Sequence, residues 1–132
     1  MRTLADVPLT GGPTRLDYQS LDSDNGRLYI AHLGSDLMTV FDLNKLTVVG
    51  DVKDLKRVHG VLAVPELHRV HASATGTNEL AVIDDQTLQI VAPVPAGDYP
   101  DGIAYASKEG RIYVSDLHGK TDTVIDAKTI NR

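Results

Sequence analysis

The sequence predicts an all-β protein made of consecutive four-stranded antiparallel sheets, arranged as the blades of a β-propeller. Arg27, Arg69 and Arg111 are spaced 42 residues apart, and each follows a turn and precedes a short apolar run. Each 42-residue copy contains four short strand patterns separated by polar or glycine-bearing turns. No stretch keeps a 3.6-residue period long enough for a helix. Four strands in roughly 40–45 residues is the pattern of a propeller blade.

The spacing also predicts where each blade begins and ends. Residues 13–54 are predicted to form the first blade and residues 55–96 the second. Residues 97–132 are predicted to form a third blade that lacks its outer strand. In the second copy, the strands are expected at Val61–Val64, Arg69–Ser73, Leu80–Ile83 and Gln89–Val94.

Residues 1–12 align with the outer-strand segments of the first two copies, residues 43–54 and 85–96. Ala5–Thr10 is therefore predicted to be an outermost strand that completes the last blade, which is the velcro closure of a propeller.

Three blades are too few to close a ring, since natural propellers use about 4–8 blades. An unpaired strand edge also templates association with another chain. We therefore expect self-association through the open blade edges, as a homodimer of six blades with two velcro joints around a two-fold axis or as a higher oligomer. The alternative is that the chain is part of a longer propeller of seven or eight blades.

Composition excludes several classes of partner and chemistry. The net charge is −5, with 18 acidic and 13 basic residues, and no basic face is available to neutralise the phosphates of a nucleic acid. The chain has no cysteine, which excludes disulfides and cysteine-ligated metals. No apolar run reaches the roughly 20 residues that span a bilayer, and this chain shows no signal peptide. A soluble protein without a membrane partner is expected, in a compartment that the sequence does not define.

Asp17, His59 and Asp101 occupy equivalent positions just before the first strand of each copy. In a propeller these positions converge on one mouth of the central channel, together with the loops after the second strands. A ring of carboxylate, imidazole and carboxylate would suit a divalent cation, or a general base beside an acid. The same positions also suit a turn role, in which an aspartate binds nearby backbone amides.

The loops after the second strands add His32 and His118 as candidate ligand-binding residues at the same mouth. The simpler interpretation is that both are exposed loop histidines without a role. His68 and His71 are placed at the opposite turn and on a strand face, with no role. The repeated aspartates of the turn to the fourth strand are predicted to bind the turn backbone: Asp42, Asp84 and Asp126.

The third copy resembles a known family of repeats. Its segments read Pro100-Asp101-Gly102-Ile103-Ala104, Gly110-Arg111-Ile112-Tyr113-Val114-Ser115 and Thr123-Val124-Ile125-Asp126. They resemble the YVTN-type repeats of YncE-like propeller proteins, with Asp116 in place of the signature asparagine. The resemblance implies a propeller blade and brings no reaction with it. Relatives in this family are often periplasmic or secreted.

Two functions remain open. The first is a non-catalytic scaffold or binding module that recognises a partner or small ligand at the channel mouth, because the features are spread evenly over the three copies. The second is a metal-assisted lyase or hydrolase that uses Asp17, His59, Asp101 and His118. Some propellers that resemble this one, such as streptogramin-type lyases and lactonases, are enzymes of that kind. The sequence has no Gly-x-Ser-x-Gly elbow, no glycine-rich phosphate loop and no His-Glu-x-x-His motif.

Overall fold

The computed structural model describes residues 1–129, which form eleven β-strands in three antiparallel sheets. The first sheet contains β1 (Gln19–Asp22), β2 (Arg27–His32), β3 (Leu37–Asp42) and β4 (Thr47–Val52). The second contains β5 (Val58–Val64), β6 (Arg69–Ala74), β7 (Glu79–Asp84) and β8 (Ile90–Pro95). The third contains β9 (Pro100–Ala106), β10 (Arg111–Asp116) and β11 (Thr121–Asp126). The all-β prediction is confirmed.

The helical content of residues 1–129 is limited to single turns. Short 3₁₀ turns lie at Leu33–Ser35, Pro65–Leu67 and Thr75–Thr77. None of the described residues belongs to a helix that is long and apolar enough to cross a membrane.

The second strands of the three sheets begin at the three arginines from which the repeat was inferred. Arg27, Arg69 and Arg111 are the first residues of β2, β6 and β10. Each second strand pairs with the strand before it and the strand after it in sequence, so every sheet is a meander of hairpins. In the second sheet, the four strands overlap the four predicted segments.

The turns after the third strands use an aspartate as predicted. The Asp42 carboxylate accepts the backbone N–H groups of Asn44 and Lys45 at 2.8 and 2.9 Å. Asp84 and Asp126 accept the N–H groups two and three residues ahead in the same way. These hydrogen bonds lower the pKa of all three carboxyl groups, because they stabilise the charged form. The structural role predicted for the three aspartates is confirmed.

The core lies in two layers between successive sheets. Alternate side chains of β7 enter different layers: Ala81 and Ile83 face the first sheet's layer, and Leu80 and Val82 face the third sheet's layer. Because successive side chains of a strand point to opposite faces of its sheet, β7 contributes to both layers. The second sheet therefore has a core layer on each of its faces. The first strands line up from sheet to sheet, since β5 contacts β1 and β9.

His71 is one of the buried polar side chains of the second sheet. His71 is 2% exposed, and its Nδ1 has no hydrogen-bond partner in the described part of the chain. Burial lowers its pKa to about 4; the nearby Arg69 charge adds to this shift, and a hydrogen bond with the Leu62 backbone opposes it. The prediction placed His71 on a strand face, and the structure shows that this face is inside the protein.

The amino-terminal segment differs from the prediction. Ala5–Thr10 forms no strand, and residues 1–9 have no regular secondary structure. A strand needs a partner for its backbone groups, and none of the described strands of this chain pairs with the segment. The β11 edge of the third sheet is likewise unpaired among residues 1–129. Residues 130–132 of the predicted third copy lie outside the described residues.

We expect acid to destabilise the fold through His71. The unfolded chain binds a proton at the ordinary pKa of 6.5, whereas the folded protein does so only at about 4. Stability should therefore fall as the pH drops from about 6.5 to 4, by up to about 3 kcal/mol. Urea unfolding across this range measures the effect.

The matched variant is His71→Tyr, since tyrosines occupy the equivalent positions 29 and 113. Its stability should stay level until the carboxyl groups titrate below about pH 4. An equal loss of stability in both proteins above that pH would show that His71 is not the cause.

Candidate functional site

The first strands of the second and third sheets begin with a β-bulge. In the pairing of β5 with β6, His59 and Gly60 together oppose Ser73. In the pairing of β9 with β10, Asp101 and Gly102 together oppose Ser115. Both serine hydroxyls accept the glycine N–H of the bulge, at 2.7 and 3.0 Å. Bulges re-aim side chains, and they place His59 and Asp101 at the same end of neighbouring strands.

Gly60 is required at its bulge because the next sheet approaches its backbone closely. A Cβ at this position would clash with the Asp101 carbonyl. The Ser73 hydroxyl also donates to that carbonyl at 2.7 Å. The two bulges are therefore locked to each other.

Each bulge is preceded by a residue that the previous sheet holds in place. Asp36 and Asn78 end the 3₁₀ turns of the first and second sheets in the left-handed conformation, at φ 56° and 54°. The Asp36 carboxylate accepts the N–H of Arg57 at 2.8 Å. The Asn78 side-chain oxygen accepts the N–H of Tyr99 at 3.1 Å. Arg57 and Tyr99, each two residues before a bulge position, also have positive φ values.

The imidazole of His59 is buried and held on both of its nitrogens. Its Nδ1 lies 2.7 Å from the Arg57 carbonyl and 2.7 Å from the Thr75 hydroxyl. The Thr75 hydroxyl itself donates to the Pro100 carbonyl at 2.5 Å. Both neighbours of Nδ1 therefore act as acceptors, so Nδ1 carries the proton. The other nitrogen, Nε2, is free to accept.

The partner of Nε2 is the Tyr99 hydroxyl at 3.1 Å, which donates to it. Tyr99 lies against two imidazoles: the His59 ring centroid is 5.1 Å from its ring, and that of His118 is 4.3 Å away. His118 is exposed, so this stack leads from the buried His59 to the surface. A histidine with a fixed tautomer next to a phenol can bind a polar ligand or exchange a proton with one.

Asp17 supplies the negative charge of the site. Its carboxylate is 3.9 Å from His59 Nε2 and 3.4 Å from the Arg15 guanidinium. The backbone bonds the two sheets here as well, since the Tyr18 N–H donates to the His59 carbonyl at 3.4 Å. The structure thus brings Asp17 next to His59, and both His59 and His118 against Tyr99. We call these four residues the mouth cluster.

Asp101 does not complete the predicted metal site. No group of three or more His, Asp or Glu side chains among residues 1–129 is placed to hold a metal ion. The physical reason is that His59 Nδ1 is directed at Arg57 and Thr75, and its Nε2 is already bonded to Tyr99. The Asp101 Oδ1 is buried, and none of the described residues donates a hydrogen bond to it. The expectation of Asp17, His59 and Asp101 as a metal-binding set is not met in the single chain.

His32 has a structural environment and is not an exposed loop residue. It is 1% exposed, and its Nδ1 donates to the Thr10 carbonyl at 2.8 Å. Its Nε2 lies 2.7 Å from the Thr14 hydroxyl. These contacts tie the connection before the first sheet to β2, so the structure does not place His32 in the mouth cluster.

The sequence patterns did not identify Thr75 or Tyr99 as part of this region. A signal for the first was present, because position 75 is threonine where the other copies have Leu33 and Leu117. His118 likewise replaces the glycines at positions 34 and 76. Thr75 and His118 are thus polar residues at positions where the other two copies agree with each other. Thr75 contacts His59, and His118 contacts Tyr99.

The first strands also line an open groove of about 310 Å³ next to the bulges. Its walls come from all three sheets and include Ser20, Gly60 and Gly102. The groove has no ionisable lining group other than the Tyr18 phenol, so charge is concentrated in the mouth cluster at its end.

Comparison with known proteins adds information on the fold. No family model matches the sequence, and no curated protein matches it. Among solved structures, 556 chains match. One of them is the Kuenenia stuttgartiensis Hydrazine Synthase, with a TM-score of 0.81 over 95% of this chain at 19% sequence identity. The match covers 38% of that chain, so this chain spans less than half of its length. At this identity the similarity concerns the fold alone.

Proposed function

We propose that the chain is a three-blade section of a β-propeller that acts as a non-catalytic binding module, with the mouth cluster as its recognition surface. The repeat of strand starts and of bulge geometry from sheet to sheet supports the propeller arrangement. The YVTN-type signature in the third copy supports the same assignment.

The observation that supports the binding role is that the rings of His59 and His118 are both held against Tyr99. His59 is fixed from behind by Arg57 and Thr75, which leaves only its Nε2 side facing the phenol. Rigid, partly exposed rings bind ligands at a low cost in conformational entropy. A carboxylate at Asp17 adds an acceptor at the edge of the rings. We infer a ligand or partner segment that combines a flat apolar face with hydrogen-bond donors.

A fragment screen by protein NMR tests this role. Fragments that bind should shift the amide signals of Tyr99 and His118. His118→Gly should lower their affinity about tenfold, because it removes one ring of the stack. The variant restores the glycine of the other two loops, so its melting temperature should be unchanged.

The matched control is Lys108→Ala, which changes an exposed turn residue at the other end of the third sheet and should leave the hits intact. Hits that map elsewhere, or that His118→Gly does not weaken, would argue against the mouth cluster as the recognition surface.

A second candidate function is acid–base catalysis by the His59–Tyr99 pair, favoured by the 3.1 Å bond between an oriented imidazole and a phenol. A lyase or hydrolase would use such a pair. The metal-assisted form of this hypothesis draws no support from the residues described, since none of their side chains form a three-ligand group. Thermal shift with Mg²⁺, Ca²⁺, Mn²⁺ and Zn²⁺ separates the metal-assisted form from the metal-free form, because a bound ion raises the apparent stability of the protein.

We also propose that two chains complete one ring, with residues 1–12 of each chain pairing with β11 of the other. The support is an unpaired β11 edge among the described residues and an exposed amino-terminal segment that contains no strand. Exposed apolar side chains at Leu4 and Val124 belong to these two regions. The alternative, a section of a longer propeller, fits the partial coverage of the similar structure.

Light scattering at micromolar concentration tests the ring. We expect twice the chain mass of 14.2 kDa for the full chain, and a monomer once residues 1–9 are deleted. A monodisperse monomer of the full chain rules out the dimeric ring, and a dimer that survives the deletion rules out this joint.

A further inference from the structure

A second polar cavity lies at the end of the strands opposite the bulges. It measures about 180 Å³ and is lined by Asn25, Arg27, His68, Asp85 and Gln86. Its residues come from the first and second sheets, and none of them belongs to the mouth cluster. Neither function considered above uses it.

The distinctive group of this cavity is the Asp85 carboxylate. The side chain is only 6% exposed, and neither of its oxygens has a hydrogen-bond partner among residues 1–129. The nearest imidazole atom, His68 Nδ1, is 3.7 Å from Oδ1, which is too long for a hydrogen bond. A buried carboxylate without a partner is costly, so it signals a missing donor.

The repeat shows that the fold does not need an acid here. The other two copies have Leu43 and Ala127 at this position. All three copies make the same backbone bond, from this residue to the turn residue before the second strand, and Asp85 donates to the His68 carbonyl at 3.2 Å. Only the side chain differs, so this backbone hydrogen bond does not depend on the carboxylate.

His68 is a second departure at the same place. Its equivalents are Gly26 and Gly110, with φ values of 65° and 68°. His68 adopts the same left-handed conformation at φ 53°, where glycine is the residue without a steric cost. Two ionisable side chains have therefore replaced an apolar residue and a glycine in one copy, and they face each other.

Arg27 borders the cavity without neutralising the carboxylate. Its guanidinium donates to the backbone carbonyl of Asp85 and lies 3.5 Å from the Tyr29 hydroxyl. A further acid, Asp22, is engaged by the backbone and side-chain N–H groups of Asn25 at 3.1 and 2.8 Å. Neither oxygen of the buried Asp85 carboxylate is therefore used by a hydrogen-bond donor of residues 1–129.

We propose that this cavity binds a small organic cation that carries N–H donors, such as the ammonium group of a primary amine. Carboxylate oxygens only accept, so the ligand must donate, and a positive charge offsets the burial of Asp85. Asn25 and Gln86 also line the cavity, and a side-chain amide carries an oxygen that can accept a third N–H. A metal ion is a poorer fit, because the described residues supply no three-ligand set.

Titration of ¹⁵N-labelled protein with methylammonium chloride tests the proposal. Saturable shifts of the Asp85, His68 and Gln86 amides are expected. Tetramethylammonium and potassium chlorides, at equal ionic strength, carry the charge without N–H donors and should give no saturable shift. Asp85→Asn keeps the shape of the side chain, and Asp85→Leu restores the residue at position 43. Both should weaken binding at least tenfold, while the nearby exposed Asp24→Asn should not.

The Asp85→Leu variant also reports on folding, because removal of an unpaired buried charge should leave its melting temperature equal or higher. Equal shifts with tetramethylammonium would overturn the proposal, as would binding that survives in both Asp85 variants. No saturable shift with methylammonium up to about 100 mM would mean that the cavity holds only water, and this result would overturn it too.

Discussion

Two hydrogen bonds between neighbouring sheets determine how the end of the molecule that contains the mouth cluster is organised. The amides of Arg57 and Tyr99 donate to the side chains of Asp36 and Asn78, one sheet earlier in the chain. Both donors have positive φ values, which most side chains avoid, so these residues need an external partner to hold them. The bulges two residues later then start in a defined direction.

Because the first of these bonds fixes Arg57, it also fixes the carbonyl that sets the tautomer of His59. The second bond places Tyr99 so that its hydroxyl reaches His59 and its ring reaches His118. The mouth cluster is thus built from three successive sheets and not by any one of them. In the third copy the residue equivalent to Asp36 and Asn78 is Lys120, which cannot accept a hydrogen bond. A sheet placed after the third one would have to be held by other contacts.

The strands could be predicted because their signals are local. Turn aspartates, alternating apolar residues and a constant spacing are properties of neighbouring residues, and β5 to β8 overlap the predicted segments. The strand predicted at Ala5–Thr10 depended on a distant partner, and it is not formed in the single chain. The predicted metal-binding set likewise depends on residues that are distant in the sequence. Equivalent sequence positions do bring Asp17 and His59 together, but the direction of each imidazole nitrogen depends on Thr75 and Tyr99.

Both candidate sites lie where one copy departs from the other two. At the mouth cluster, Thr75 stands where the other copies have leucines, and His118 stands where they have glycines. At the opposite end, His68 stands in place of two glycines, and Asp85 in place of a leucine and an alanine. The backbone frame tolerates each exchange because its hydrogen bonds use main-chain atoms that all copies share. A comparison of the copies within one sequence therefore locates candidate sites that composition and motifs do not.

Amide hydrogen exchange of Tyr99 and Arg57 in two single variants measures the inter-sheet bonds directly. Asn78→Ala should speed exchange of the Tyr99 amide about fivefold, the equivalent of a bond worth about 1 kcal/mol, and leave the Arg57 amide unchanged. Asp36→Ala should give the reverse pattern. Unchanged protection of both amides, or an equal loss of both in either variant, would contradict the account.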